Sequence, residues 1–180
     1  EGTLTVTELT DKVTVTITEN SGSEKYDGKE KTVTGYTVTS ISNPLYTEKD
    51  FTFSGNATVK GTDAGTYNME LKPADFTNKN ANFKNVEFVI VDGTLKIAKR
   101  TVTLTSADAE KVYDGAALTN KNVTVSGDGF AKGEGAAYDV TGSQKEVGNS
   151  KNTFTYTLNE GTKAGNYTIT VVPGTLTVKP

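Results

Sequence analysis

The sequence predicts an all-β protein of two tandem β-sandwich modules, and three observations carry that prediction. Threonine alternates with an aliphatic or aromatic residue in TLTVT (3–7), VTVTIT (13–18), TVTLT (101–105), VTVS (123–126), TFTYTL (153–158) and YTITVV (167–172). Gly-, Asn- and Asp-rich clusters such as NSGSEKYDGKE and SGDGFAKGEG separate these runs. Finally, SEKYDG (23–28) is nearly repeated as AEKVYDG (109–115). Successive strand side chains point to opposite faces, so each alternating run buries its apolar set and turns threonine to solvent. Threonine and valine also favour a pleated surface over a helix. The polar clusters read as turns, and short strands at regular spacing indicate a sandwich or barrel.

The repeat orders the chain. Tyr26-Asp27-Gly28 and Tyr113-Asp114-Gly115 lie 87 positions apart (113 − 26). Gly2-Thr3-Leu4, Gly93-Thr94-Leu95 and Gly174-Thr175-Leu176 form a second series, each opening an alternating strand. Self-similarity at a fixed period marks a tandem array. The expected division is a closing strand or linker of a preceding repeat at 1–11, a first module at 12–98 and a second at 99–180. The first Gly-Thr-Leu thus reads as the end of an upstream module, in a chain cut from something longer. Tyr67–Leu71 is aligned with Phe154–Leu158, and Asn82-Phe83 with Asn166-Tyr167. Ala98-Lys99-Arg100 joins the modules without the Gly/Ser content of a flexible linker, so an end-to-end arrangement with little bending is expected. PADFTN (73–78) is the one plausible helical turn.

The Tyr-Asp-Gly motif reads as structural. Glycine after aspartate suits a turn at positive φ, and the carboxylate can accept from nearby amides. Tyr26 and Tyr113 bury a ring while the hydroxyl seeks a backbone partner, with Lys25 and Lys111 laying their stems across it. A second structural motif is Asp63-Ala64-Gly65-Thr66-Tyr67. It resembles the tyrosine corner of immunoglobulin-like domains, in which the Tyr hydroxyl bonds back to the chain just upstream. Met69 stands where antibody domains carry cysteine, and VGNSKNTFTY keeps only the outline in the second module. The fold class is therefore read as immunoglobulin-like.

Composition excludes much chemistry. Hydrophobic residues make up 34% of the 180, low for one deep core and suited to two small ones. The chain has no cysteine and no histidine, which removes disulfides, thiolate metal sites, thiol catalysis and imidazole proton transfer. A net charge of −3 argues against nucleic acid, and no apolar run approaches the ~18 residues of a spanning helix. No pair of carboxylates is grouped for hydrolysis, so no enzyme activity and no cofactor are expected. Asp128, Glu134 and Asp139 border a Gly-rich loop and are the weak candidates for a Ca²⁺ contact, although their spacing matches no dedicated loop. A buried lysine joined to asparagine by an amide bond is a further possibility in such modules.

The chain resembles the YDG- and MBG-type repeats of large bacterial adhesins. In the second module the resemblance rests on Lys111–Gly115, VTVSGDGFAKGEG (123–135), TFTYTLNEGTKAGNY (153–167) and VVPGTLTVKP (171–180). In the first it rests on Tyr26-Asp27-Gly28, GTDAGTYNMELKPADFTNKNANF (61–83) and DGTLKIAKR (92–100). It implies a cell-wall-attached location in Gram-positive bacteria, particularly Firmicutes, a stalk or adhesin role, and no catalytic residues. Some related modules are β-grasp-like, with a short helix across a mixed sheet, which is the alternative fold. A monomer is expected, with adjacent repeats as neighbours. Host glycoproteins or glycans are the candidate partners under the alternative reading, through Tyr36, Tyr46 and Phe51 in the divergent stretch GYTVTSISNPLYTEKDF, although core packing is the favoured role of these rings.

Overall fold

A computed structural model describes residues 1–180, and the chain forms two compact units. Unit 1 comprises Glu1–Glu24 and Glu30–Ile97; unit 2 comprises Lys25–Lys29 and Ala98–Pro180. Both are all-β and sandwich-like. The strands of the first repeat are β1 (Val13–Glu19), β2 (Gly22–Lys25), β3 (Lys31–Thr34), β4 (Tyr36–Ile41), β5 (Phe51–Phe53), β6 (Thr58–Gly61), β7 (Gly65–Asn68), β8 (Phe76–Asn78), β9 (Val86–Val91) and β10 (Thr94–Ala98). Those of the second are β11 (Arg100–Ser106), β12 (Ala109–Val112), β13 (Val123–Gly127), β14 (Ala136–Val140), β15 (Gly148–Asn152), β16 (Phe154–Leu158), β17 (Tyr167–Val172) and β18 (Gly174–Lys179). No α-helix forms. PADFTN supplies only a 3₁₀ turn at Pro73–Asp75 before it becomes β8.

In unit 1 the sheets are β4-β1-β9 and β2-β10-β7, with the ladders β3-β6 and β5-β8 beside them. Alternation does what the sequence requires. Val13, Val15 and Ile17 are almost fully buried from β1, and Leu95 and Ile97 from β10. An aromatic cluster fills the rest: Phe51, Phe76 and Phe88 have ring centroids 5.3–5.8 Å apart. Unit 2 repeats the plan with β13-β11-β17 and β12-β18-β15, plus the ladder β14-β16. Val102, Leu104, Leu176 and Val178 form its innermost layer.

The pairing corrects the sequence alignment. Tyr67 lies opposite Leu95, and the residue opposite Leu176 is Ser150. The counterpart of Tyr67 is therefore Ser150, while Phe154–Leu158 pairs with β14 instead. Likewise Val13 pairs with Val86 and Arg100 with Tyr167, so Val86 holds the place of Tyr167. Register follows the inward apolar set and the ladder, to which a shared aromatic letter is incidental. The alternating run at 3–7 forms no strand. Leu4 and Val6 are 93% and 85% exposed, since a strand needs a ladder partner and this run is tied down only beyond its end, by the bridge Leu9–Phe83 and the ion pair Glu8–Lys84.

Two features were not read from sequence. The opening strand pairs in parallel with a late one in each unit, β1 with β9 and β11 with β17. In unit 2 β12 also pairs in parallel with β18, in the other sheet, so two parallel ladders follow one another, Arg100–Tyr167 to Thr105–Val172 and Ala109–Leu176 to Val112–Lys179. The sheets are thus mixed, as in the alternative fold, but without its helix. The second feature is a buried polar side chain where the opening strand crosses between sheets. Glu19, only 3% exposed, accepts from the amides of Leu71 (2.7 Å) and Gly93 (2.8 Å). Ser106 does the same work in unit 2: Oγ accepts from Gly174 N (2.9 Å) and donates to the carbonyl of Asn152 (2.5 Å). The glycines are sterically required, because a Cβ on Gly93 would lie 2.4 Å from the Asn20 carbonyl oxygen and one on Gly174 2.4 Å from that of Ser106.

Removing the Glu19 carboxylate strands two buried amides, each of which costs about 1–3 kcal/mol. Glu19→Ala should therefore lower the stability of unit 1 by roughly 2–6 kcal/mol. Amide exchange along β1 and β10, set against β11 and β18 of the same molecule, measures it. Unchanged protection in β1 and β10 would contradict the assignment.

Candidate functional site

The most elaborate polar cluster lies in unit 2, around the segment Lys25–Lys29 that this unit includes. The segment is pinned by its own turn: Asp27 Oδ1 accepts from Lys29 N at 2.9 Å, and Gly28 sits at φ +81°. Tyr26 N–H donates to the Ala98 carbonyl at 2.9 Å, which leaves the Tyr26 ring 4% exposed. Its edge meets Tyr167 with centroids 5.7 Å apart, and Phe130 lies 5.2 Å from the other side of Tyr167.

Glu134 is the centre. One carboxylate oxygen accepts from the Tyr26 hydroxyl at 2.5 Å and the other from the Tyr167 hydroxyl. Tyr167 in turn accepts from Ala131 N at 3.0 Å, and the buried Asn166 stands beside Tyr26. Arg100 closes the lower edge, donating to the carbonyls of Gly129 (2.9 Å), Tyr26 (3.2 Å) and Asp128 (2.6 Å). The Gly-rich loop makes this possible. Gly127, Gly129 and Gly133 all take positive φ, the conformation glycine adopts most readily, in the loop that presents the Asp128 and Gly129 carbonyls to the guanidinium. Asp128 is held on one oxygen by Lys25 (2.8 Å) and on the other by Thr101 N (2.9 Å) and Oγ1 (3.1 Å).

The electrostatics follow from this wiring. Burial, reinforced by the Glu134 carboxylate, pushes the Tyr167 phenol up to about 12 and that of Tyr26 higher still. The hydrogen bond from Lys25, with those from Thr101, lowers Asp128 to about 2. Both phenols are therefore neutral donors at ordinary pH and the carboxylate is their common acceptor. This is a seat for a tyrosine, with every strong group engaged, rather than a constellation with a proton to move.

The other sequence candidates are placed as follows. Tyr113-Asp114-Gly115 keeps the turn, with Asp114 accepting from Ala116 N at 2.9 Å and Gly115 at φ +79°. Its ring, however, is 46% exposed. Lys25 and Lys111 do not occupy the same place. In strand register Lys25 matches Val112, and Lys111 instead reaches back to Asp114 and the Ala116 carbonyl, both at 2.6 Å. Tyr67 donates to the Asp63 carbonyl at 2.8 Å, a tyrosine corner; Ser150, its counterpart, donates to Ser143 at 3.2 Å. Tyr46 and Phe51 are core residues at 2% and 8% exposure, and the half-buried Tyr36 packs on Phe53 and Phe76. Tyr46 donates to the Asp50 carbonyl (3.2 Å) and Asn78 Oδ1 (3.0 Å), so burial raises its phenol to about 12. Asp128, Glu134 and Asp139 do not converge on a common point for a cation. No lysine is buried, which removes the partner an amide crosslink needs.

Sequence reading missed Arg100, Phe130, Asn166 and Tyr167 as a group, together with Glu19 and Ser106. Glu134 was noticed only for its charge. A signal existed in Glu19: a carboxylate on the inward phase of an alternating strand needs a buried partner.

Residues 13–99 match the sequence model of the MBG domain. No curated protein and no solved structure matches the chain.

Raised tyrosine pKa values stabilise the protonated fold. The contribution of the seat is intact below the unfolded phenol value of about 10 and disappears as pH rises through about 12. Unit 2 should thus unfold in alkali over that interval, with Tyr26 and Tyr167 ionising only on unfolding; ultraviolet phenolate absorbance alongside near-ultraviolet circular dichroism would show it. Glu134→Gln should move the transition downward. Asp128 behaves oppositely: its contribution is complete above about 3.9 and is lost as pH falls through about 2. Lys25→Ala should raise the Asp128 pKa, as read by carboxyl NMR titration. A value unchanged at about 2 would mean that the Thr101 bonds alone set it.

Proposed function

We propose that the chain is a non-enzymatic stalk segment of a bacterial cell-surface adhesin, projecting a binding region away from the cell wall. The match of residues 13–99 to the MBG domain supports a surface-protein repeat. The observation that carries the stalk reading is the parallel pairing of opening and closing strands. In unit 2, Arg100 pairs with Tyr167 at one end and Val112 with Lys179 at the other. Tension applied through Arg100 and Lys179 therefore pulls on opposite ends of two successive parallel ladders, one in each sheet. The hydrogen bonds of each ladder are then loaded in shear and share the load, whereas a hairpin pulled from one end unzips bond by bond. In unit 1, β1 and β9 are paired in the same sense from Val13–Val86 to Thr18–Val91. A domain held in a line between cell wall and target needs that resistance, because forced unfolding is governed by the unfolding rate.

The rival reading has the modules bind a host glycoprotein or glycan themselves, through Tyr36, Tyr46 or Phe51. Sugar stacking needs an open ring face, and Tyr46 and Phe51 are buried. Single-molecule extension of the chain should give two separate high-force events, each releasing roughly 300 Å at about 3.6 Å per residue. Low-force, gradual extension would overturn the stalk reading. Saturable binding to a mucin, matrix protein or glycan panel, lost in a folded Tyr36→Ala chain, would replace it with the rival.

A further inference from the structure

We infer that Tyr113 is the docking residue for a further module, one carrying the kind of tyrosine seat that unit 2 builds from Glu134, Asn166 and Tyr167. The inference rests on the tandem-array reading and gives it a specific joint.

Tyr26 and Tyr113 are prepared in the same way. Tyr26 N–H donates to the Ala98 carbonyl at 2.9 Å and Tyr113 N–H to the Lys179 carbonyl at 2.8 Å. Each is followed by an aspartate that caps the turn two residues on, and by a glycine near φ +80°. Their surroundings then diverge. Tyr26 is 4% exposed, with its hydroxyl on Glu134; Tyr113 is 46% exposed, and Val112 beside it is 63% exposed. A turn pinned this firmly, presenting a bare aromatic ring and a bare valine, has the form of a knob without its socket.

The equivalence also fixes the occupant. Ala98 and Lys179 accept from the two tyrosines alike, and Arg100, which lines the seat, stands two positions after Ala98. A module whose first strand begins two positions after Lys179 would bring a seat to Tyr113 by the same covalent route. A second copy of this chain does not serve, because its unit 2 seat already holds Tyr26. Nor does a module of the unit 1 type, which has Val13 and Val86 at the places of Arg100 and Tyr167 and so lacks both the guanidinium that holds the turn carbonyl and the second phenol of the seat. The fitting partner is a module of the unit 2 type, with a glutamate on its Gly-rich loop and a tyrosine opening its late parallel strand.

Nitration by tetranitromethane reads this directly, since it requires an accessible phenolate. In the chain as it stands, Tyr113 should react and Tyr26 should not. Residues 100–180 joined again after Pro180 should protect Tyr113 by at least about tenfold, as each pKa unit removes a factor of about ten in phenolate. Residues 13–97 joined at the same point should leave it reactive. Glu134→Ala with Tyr167→Phe in the appended copy should restore reactivity. Tyr113 remaining reactive beside a copy shown folded by amide exchange would overturn the proposal, while leaving the stalk reading to its own force measurement. A second test needs no added module. Lys25→Val gives the first motif the residue that precedes Tyr113, and Tyr26 should stay protected. Exposure of Tyr26 in that variant would mean that the Val-Tyr-Asp-Gly motif cannot occupy such a seat, and would overturn the proposal equally.

Discussion

Each unit depends on satisfying the backbone where its opening and closing strands pass together from one sheet to the other. A crossing of this kind takes amides out of both ladders and buries them, and an unpaired buried amide is costly. Unit 1 supplies two acceptors at once through the Glu19 carboxylate, one for Leu71 and one for Gly93. Unit 2 divides the task, with the Ser106 hydroxyl serving as acceptor for Gly174 and donor to Asn152. Asn152 itself then donates to the carbonyls of Ala107 (3.0 Å) and Asn120 (2.9 Å). The same constraint explains Gly-Thr-Leu. Glycine is the residue that allows the two chains to approach closely, and leucine is the first inward side chain after the crossing, 1% exposed in Leu95 and fully buried in Leu176.

Once the crossing is fixed, the Tyr-Asp-Gly turn follows from it. The strand leaving the crossing is short, four residues in β2 and in β12, and its end is delivered to the last residues of the closing strand. The local chemistry of the turn is therefore alike in both copies. What differs is the environment that the tyrosine ring meets. Around Tyr26 a loop with three positive-φ glycines folds its carbonyls onto Arg100 and lifts Glu134 between two phenols. The motif is a constant of the module, and its energetic value is set by the seat.

The sequence was legible where one periodicity decided the outcome. The alternating runs at 13–18 and 101–105 lie in strands whose Val, Ile and Leu set a one-residue slip would turn to water, whereas those at 123–126, 154–158 and 167–172 form strands that leave Val125, Tyr156 and Val171 at 36–42% exposure. The tyrosine corner could be read because its geometry is local, Tyr67 to Asp63. What escaped was long-range. Parallel pairing of β1 with β9 joins residues more than 70 positions apart, and nothing in either strand's alternation distinguishes parallel from antiparallel partners. The alignment of Tyr67 with Phe154 failed because loops between strands changed length from one repeat to the next. The seat escaped for the same reason: Arg100, Glu134 and Tyr167 come from three elements, and each looks ordinary alone. The alternation at 3–7 had the right pattern without a ladder partner, and pattern alone cannot fold a strand.

The two units also use their aromatic residues in opposite ways, and this separates architecture from identity. Unit 1 turns Tyr46, Phe51, Phe76, Phe83 and Phe88 inward, where edge-to-face packing adds about 0.5–1.5 kcal/mol per pair to the burial itself. The divergent stretch 35–51 thus differs from the second repeat because it fills a different core. Unit 2 has aliphatic residues at matching places, with Ile169 where unit 1 has Phe88. Phe154 and Tyr138 form one edge-to-face pair there, and Phe130 and Tyr167 are gathered around one polar node. Substitution in such a module therefore has two separable consequences. Changes along the crossing and the parallel ladders act on the strand pairing, and changes at Arg100, Glu134 and Tyr167 act on the seat of Tyr26. The two units differ in core chemistry, while the glycine at the crossing and the Tyr-Asp-Gly turn are alike in both.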